Sequence, residues 1–234
     1  MKVEIVNNAE RQMVSVLSPA IEQSQDVRIA VAFVSRSGLA LLKPALERAL
    51  ETRSKLEFLV GLDMRTTEPQ ALEMLYELSQ RHPNVAMYCY ASLGSAVIYH
   101  PKLYLLKAND DVTCIIGSSN LTVGGLRKNI EVNVVIDGTA FDEPISDAYT
   151  TYSRLKFHPK RVAPDGEFLQ MYAGLYRKER EQERQSRGTQ TSRDLFKRFE
   201  EKALALRHPV PTASDLFGWL ELVYDALGSV TSCV

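Results

Sequence analysis

The sequence predicts an α/β fold followed by a helical tail, and three observations carry that expectation. Apolar runs bounded by turn residues alternate with longer segments of helical period over the first 84 residues. A series of strand-like runs with short connections follows, from Val85 to Ile136. Beyond roughly Tyr152 the strand signal stops, and apolar residues recur only at helical spacing.

The elements follow in order. A first helix is expected within Ala9 to Gln23, where Met13, Leu17 and Ile21 recur every four residues. Strands are expected at Val27 to Val34 and Leu56 to Leu62. Between them Leu39 to Leu50 has helical spacing behind the candidate caps Ser35 and Ser37, and Pro69 to Gln80 makes a third helix with Thr67 as its candidate cap. His82-Pro83-Asn84 is a turn signal. Four strands come next: Val85 to Tyr90, Tyr99 to Leu106, Val112 to Gly117 and Glu131 to Ile136. Asn109-Asp110-Asp111 reads as a hairpin turn, and Gly124-Gly125 as a loop or helix end. In the tail, Phe168 to Arg187 is heavily charged, Leu195 to Leu206 and Leu216 to Leu227 have helical apolar spacing, and Ser186-Arg187-Gly188-Thr189 reads as a break. No repeat of 20 to 50 residues is evident, which argues against an internally duplicated domain.

A chain of 234 residues with 45% hydrophobic and 24% charged residues has the composition of an ordinary globular protein. Its formal charge of −1 carries no bulk basic field, so a site for a polyanion has to be local. The amino terminus MKVEIVNNAERQ is polar, and no apolar run reaches the roughly 20 residues of a membrane span. The expected location is therefore the cytoplasm, with no membrane partner. Cys89, Cys114 and Cys233 are odd in number and lack metal-ligand spacing, so they are expected to be reduced and structural.

The chemistry is concentrated in the strand series. Residues two apart on a strand point the same way, so His100 and Lys102 project from one face, with Pro101 marking a strand start or an edge. Gly117-Ser118-Ser119-Asn120 ends the next apolar run and again presents polar side chains with period two. Glu131 and Asn133 do the same on the last strand, while Val132 and Val134 face the other way. Such groups suit attack on a phosphodiester: an imidazole nucleophile, an ammonium and an amide on the phosphoryl oxygens, and a carboxylate to orient the imidazole. That chemistry requires no metal and no cofactor.

These residues resemble the phospholipase D superfamily, whose pattern is H-x-K, four residues, D, then G-S-x-N. Here His-Pro-Lys is followed by Gly-Ser-Ser-Asn, Leu-Thr, and an acidic residue eleven positions after the asparagine. The chain is most similar to the single-motif branch of small bacterial nucleases and metal-independent restriction endonucleases. The resemblance is strongest over residues 97 to 136 and extends over the α/β domain. It implies a phospholipase D-like mixed β-sheet flanked by helices, a catalytic domain over residues 1–155, and a helical appendage over 156–234 that serves as linker or interaction segment. It also implies catalytic roles for His100, Lys102, Ser118, Asn120 and Glu131, through a phosphohistidine formed by one histidine while a second protonates the leaving oxygen. Only one usable motif is present, because His158-Pro159-Lys160 repeats H-x-K with no G-S-x-N after it. The second histidine is then expected from a second copy, across a two-fold axis.

One departure stands out: Lys107 occupies the position of the family aspartate. Some nuclease-like members also lack that aspartate. Lys107, Arg127 and Lys128 are candidate substrate-binding cations for a nucleic-acid backbone, DNA favoured, with Arg154, Lys156, Lys160 and Arg161 as further local cations. Plainer readings stand beside these. Ser118 serves as a turn residue bonding local backbone, Asn120 as a cap on Leu121 to Arg127, Glu131 as an edge-strand charge, and Lys107 as a surface lysine at a strand end. The rival function is a non-catalytic nucleic-acid-binding or scaffold module, and phospholipid hydrolysis is less favoured without a membrane-binding segment.

Overall fold

The computed structural model describes residues 1–91, 97–187, 197–199 and 201–202. The chain divides into two compact units, Met1–Arg180 and Glu181–Val234, and the sheet belongs to the first. The helix expected over Leu216 to Leu227 lies outside the described residues, as do Gly188 and Thr189 of the expected Ser186-Arg187-Gly188-Thr189 break, of which Ser186 and Arg187 are helical. Of Leu195 to Leu206, the described residues 197–199 and 201–202 are helical.

Eight strands form one mixed sheet: β1 (Lys2–Val6), β2 (Asp26–Val31), β3 (Lys55–Gly61), β4 (Val85–Tyr90), β5 (Lys102–Ala108), β6 (Asp111–Gly117), β7 (Asn133–Thr139) and β8 (Arg161–Val162). Their order is β1-β7-β6-β5-β2-β3-β4-β8. Pairing is parallel in β2–β3 and β3–β4 and antiparallel elsewhere. The helices are α1 (Met13–Gln23), α2 (Arg36–Glu51), α3 (Pro69–Arg81), α4 (Glu143–Lys156) and α5 (Gly166–Arg187).

The core has two layers, one on each sheet face. On one, Met13, Leu17 and Ile21 of α1, Leu42 of α2 and Leu72 of α3 pack on Val27, Ile29, Tyr104 and Val135. On the other, Ile145, Ala148 and Tyr152 of α4 pack on Ala30, Leu59, Leu105, Cys114 and Ile136. Alternation along each strand thus splits its residues between layers. The central strands read as continuous apolar runs because both faces are covered. Leu169 and Tyr172 join the first layer, and the Tyr172 hydroxyl donates to the Thr67 carbonyl at 2.8 Å, so the first unit continues past residue 155.

The expected elements appear with shifted ends. Ser35 caps α2 as anticipated, its hydroxyl accepting from the Gly38 amide at 3.0 Å. Thr67 does not cap α3. It is fully buried, donates to the Gly61 carbonyl at 2.8 Å and accepts from the Val34 amide at 3.3 Å, tying the ends of β2 and β3 together. The expected hairpin joins β5 to β6, with Asn109 at φ 56°, a left-handed position asparagine tolerates well. Among the described residues, β1, whose five polar-alternating residues form an edge, α4 and the two-residue β8 carry no sequence expectation. The β5 and β7 strands begin later than anticipated, at Lys102 and Asn133, which leaves His100 and Glu131 in the segments leading into them. Pro101 is the reason at β5, since it has no amide to enter the ladder.

Candidate active site

The topology brings the ends of the central strands to one edge of the sheet. There β2 and β3 end, antiparallel β5 begins, β6 ends and β7 begins. His100, Lys102, Ser118, Asn120 and Glu131 all lie at this edge, although 31 residues separate the first from the last. The carboxyl ends of parallel strands are where α/β sheets open crevices, because the chain leaves the sheet there.

His100 and Lys102 form the centre. The imidazole is exposed, whereas Lys102 is 7% exposed. The Lys102 Nζ lies 2.7 Å from Nδ1 and 3.1 Å from Nε2 of His100, and donates to the His100 carbonyl at 3.0 Å. An ammonium can only donate to a ring nitrogen that carries no proton, so within one chain this contact favours neutral imidazole. Burial, and then the Lys102 charge, hold the His100 pKa below its ordinary 6.5. Burial also lowers the Lys102 pKa, while the negative charge of Glu131 acts to raise it.

Asn120 does not cap the segment after it. Its Oδ1 accepts from the Phe33 amide at 3.0 Å, which leaves Nδ2 as a donor for an incoming oxyanion. The turn that follows is organised instead by Thr122, whose hydroxyl accepts from the Gly125 amide at 3.0 Å. Gly125 belongs to a π-helical turn, Gly124–Lys128, packed so closely that a Cβ there would stand 2.4 Å from the Asn120 carbonyl oxygen.

Glu131 is 8% exposed, so it is no solvated edge charge. Its carboxylate accepts a short hydrogen bond from the Ser118 hydroxyl and another from Asn129 Nδ2 at 3.2 Å. The Ser118 hydroxyl also accepts from the Val132 amide at 3.0 Å, so the local-backbone role and the contact with Glu131 are both real. Within one chain the Glu131 carboxylate is thus engaged by Ser118 and Asn129 and not by His100.

Beneath lies a support that the sequence did not disclose. Ser119 is fully buried: its amide donates to Asn133 Oδ1 at 3.2 Å, its hydroxyl accepts from Asn133 Nδ2 at 2.9 Å, and its carbonyl accepts from the Tyr104 hydroxyl at 2.7 Å. Asn133 had been legible as a polar strand position, but its burial to 1% had not. Phe33, also absent from the sequence reading, sets its ring edge-on to His100, centroids 5.4 Å apart at 73°, with Lys102 Nζ 5.9 Å from its centre.

The candidate cations divide. Arg127 and Lys128 are exposed at the end of the π-helical turn, on the loop that leads to Glu131. Lys107 lies near the far end of β5, opposite Asp26 and five residues beyond Lys102. At about 3.3 Å per residue that is roughly 16 Å from the cluster. Among the described residues no group of three or more His, Cys, Asp and Glu side chains is placed to hold a metal ion. Among the described residues no helix is long and apolar enough to cross a membrane.

An eight-stranded mixed sheet flanked by helices, with a histidine, lysine and asparagine gathered at the carboxyl edge, defines the phospholipase D-like phosphodiesterase class. Residues 6–153 match the family described as cardiolipin synthase, PLD-like domain, and the chain belongs to that family. Among solved structures it is similar to NucT from Helicobacter pylori, with 18% identity and a TM-score of 0.53 over 70% of this chain and 99% of that one. It is also similar to Nuc, a phospholipase D family member from Salmonella typhimurium, at 17% identity and a TM-score of 0.49 over 66% of this chain and 91% of that one. A third is the phosphatidylserine synthase of Haemophilus influenzae, at 13% identity and a TM-score of 0.49 over 75% of this chain and 44% of that one. At 18% identity the likeness to NucT is one of fold. No curated protein matches the sequence.

Proposed function

We propose that this protein is a metal-independent nuclease that cleaves DNA through a phosphohistidine, with its active site completed across a homodimer. The observation that carries the reading is the exposed imidazole of His100 held against the buried ammonium of Lys102, 2.7 Å from Nδ1, at the sheet edge that also holds Asn120. A neutral imidazole attacks phosphorus, forming an N–P bond as the P–O bond to the leaving group breaks. The protonated His100 of the second copy gives its proton to that leaving oxygen. It then takes a proton from the water that hydrolyses the phosphohistidine. Lys102 and Asn120 meet the charge on the phosphoryl oxygens, and Arg127 and Lys128 meet flanking phosphates.

The dimer has its own support. One chain offers one such histidine, and the apolar side chains of Ile116, Ile130 and Val132 are exposed around Ser118 and Glu131. Isolated exposed apolar residues are ordinary, but three beside a half-complete site suit burial by a second copy. In that arrangement Glu131 is free to orient an imidazole through the pair. The first unit acts in the cytoplasm as the catalytic domain, and the residues beyond it serve as linker or partner contact.

The test is cleavage of labelled DNA in excess chelator, with His100→Ala as the control and samples quenched in alkaline denaturant examined for phosphohistidine. Chelator-resistant cleavage lost in the variant supports the proposal. An absolute need for added magnesium, or a rate that survives in His100→Ala, overturns it. DNA binding without any turnover favours the non-catalytic module.

A further inference from the structure

Phe33 lies in the short connection from β2 to α2, far in sequence from every motif residue, yet it touches three of them. Its amide donates to Asn120 Oδ1 at 3.0 Å. Its ring meets the His100 ring edge-on, with centroids 5.4 Å apart. The same ring stands 5.9 Å from the Lys102 ammonium. The aromatic face carries partial negative charge, so it attracts the ammonium, while its bulk confines the imidazole.

The connection is fixed independently of the ring. The Ser35 amide donates to the Leu121 carbonyl at 3.0 Å, Val34 and Leu121 form a parallel bridge, and the Ala32 amide donates to the Pro101 carbonyl at 3.0 Å. Gly38, in the first turn of α2, approaches the same loop so closely that a Cβ would stand 2.2 Å from the Leu121 carbonyl oxygen. The loop of Asn120 and the approach to His100 are thus both clamped to residues 32–38.

We propose that Phe33 is a positioning residue that sets the ring of His100 against Lys102 and couples it to the orientation of Asn120. The inference rests on the phosphodiesterase reading for its kinetic arm only. A nucleophile must hold its geometry to within fractions of an ångström, and a misplacement near 1 Å costs on the order of a hundredfold. Removing the ring leaves His100 with more rotameric freedom and more water, while the Asn120 contact, made by the backbone, persists. The expected loss therefore falls on kcat and not on KM. Water reaching the imidazole also relieves the burial that lowers its pKa, so its titration moves upward.

The experiment compares Phe33→Leu and Phe33→Tyr with the unaltered full chain. The readouts are kcat and KM on labelled DNA in chelator, thermal unfolding, and the NMR titration of the His100 ring, assigned by its loss in His100→Ala. In Phe33→Leu, kcat is expected to fall by about tenfold to a hundredfold with KM within about twofold, and the His100 midpoint to rise. Phe33→Tyr, which keeps the ring, is expected to retain the kinetics and the midpoint. An unchanged His100 titration in Phe33→Leu overturns the proposal, including when kcat falls together with the melting temperature. An unchanged kcat in an active enzyme overturns it as well. If the unaltered chain has no phosphodiesterase activity the functional reading fails, and the titration still decides the role of Phe33.

Discussion

Replacing Asn133 by leucine isolates the support under the G-S-x-N turn. The two side chains are close in volume, so little cavity is created, but leucine has no polar atom. Two hydrogen bonds of ordinary length to Ser119 disappear, at 3.2 and 2.9 Å, along with a weaker one to the Val6 carbonyl at 3.5 Å. Ser119 is fully buried, so its amide and hydroxyl lose partners where water cannot replace them. Each lost bond is worth about 1 kcal/mol, and each orphaned buried group costs about 1–3 kcal/mol. The two estimates overlap for the same atoms, which puts the expected loss at about 2–4 kcal/mol. For a unit of this size that corresponds to a melting point lower by about 10 °C. Equilibrium unfolding in urea, followed by tryptophan-independent far-ultraviolet dichroism, measures the loss directly. At a denaturant-free temperature well below melting, kcat is expected to fall as well, because Ser119 sits between Ser118 and Asn120. A stability change below about 0.5 kcal/mol would refute the reasoning, since it would mean that the Ser119 groups find other partners or are not buried.

Three further expectations follow from the same geometry. Burial and then the Lys102 charge hold the His100 pKa below its ordinary value, so if His100 attacks as neutral imidazole the acid limb of the pH–rate profile should have its midpoint below the ordinary histidine range, and a midpoint above that range contradicts the arrangement with Lys102. Gly125→Ala places a methyl group 2.4 Å from the Asn120 carbonyl oxygen and 2.7 Å from its amide nitrogen, both backbone atoms. That substitution should lower both melting temperature and kcat, and a variant normal in both would show that the turn has room. Burial pushes the Cys89 and Cys114 thiols up to about 12, so both should resist maleimide in the native protein and react on unfolding, as read by mass mapping of the labelled peptides.

The sequence was most legible where one residue type has few structural uses. Apolar runs bounded by turn residues located six of the strands, because central strands covered on both faces are apolar nearly throughout. His100, Lys102 and the G-S-x-N turn were legible as candidate chemistry because polar residues with period two recur at the ends of apolar runs. Elements whose sequence signal is weak escaped: β1 mixes Lys2 and Glu4 with apolar residues at an edge, and β8 has only two residues. Lys107 was close to the motif in sequence but points elsewhere in space, because five residues of strand carry it to the opposite edge.

The sequence by itself determined the chemistry on offer, an imidazole, an ammonium, an amide and a carboxylate, and the layered fold that would hold them. Only the tertiary structure decided which groups meet and what stands behind them: Ser118 with Glu131, Asn133 beneath Ser119, and Phe33 against both His100 and Lys102. The reason is that periodicity reports which side a residue faces within its own element, whereas contact between elements depends on strand order and register. In this sheet, that order sets β5 between β2 and β6, which carries Phe33 to His100 from about 67 residues away in sequence.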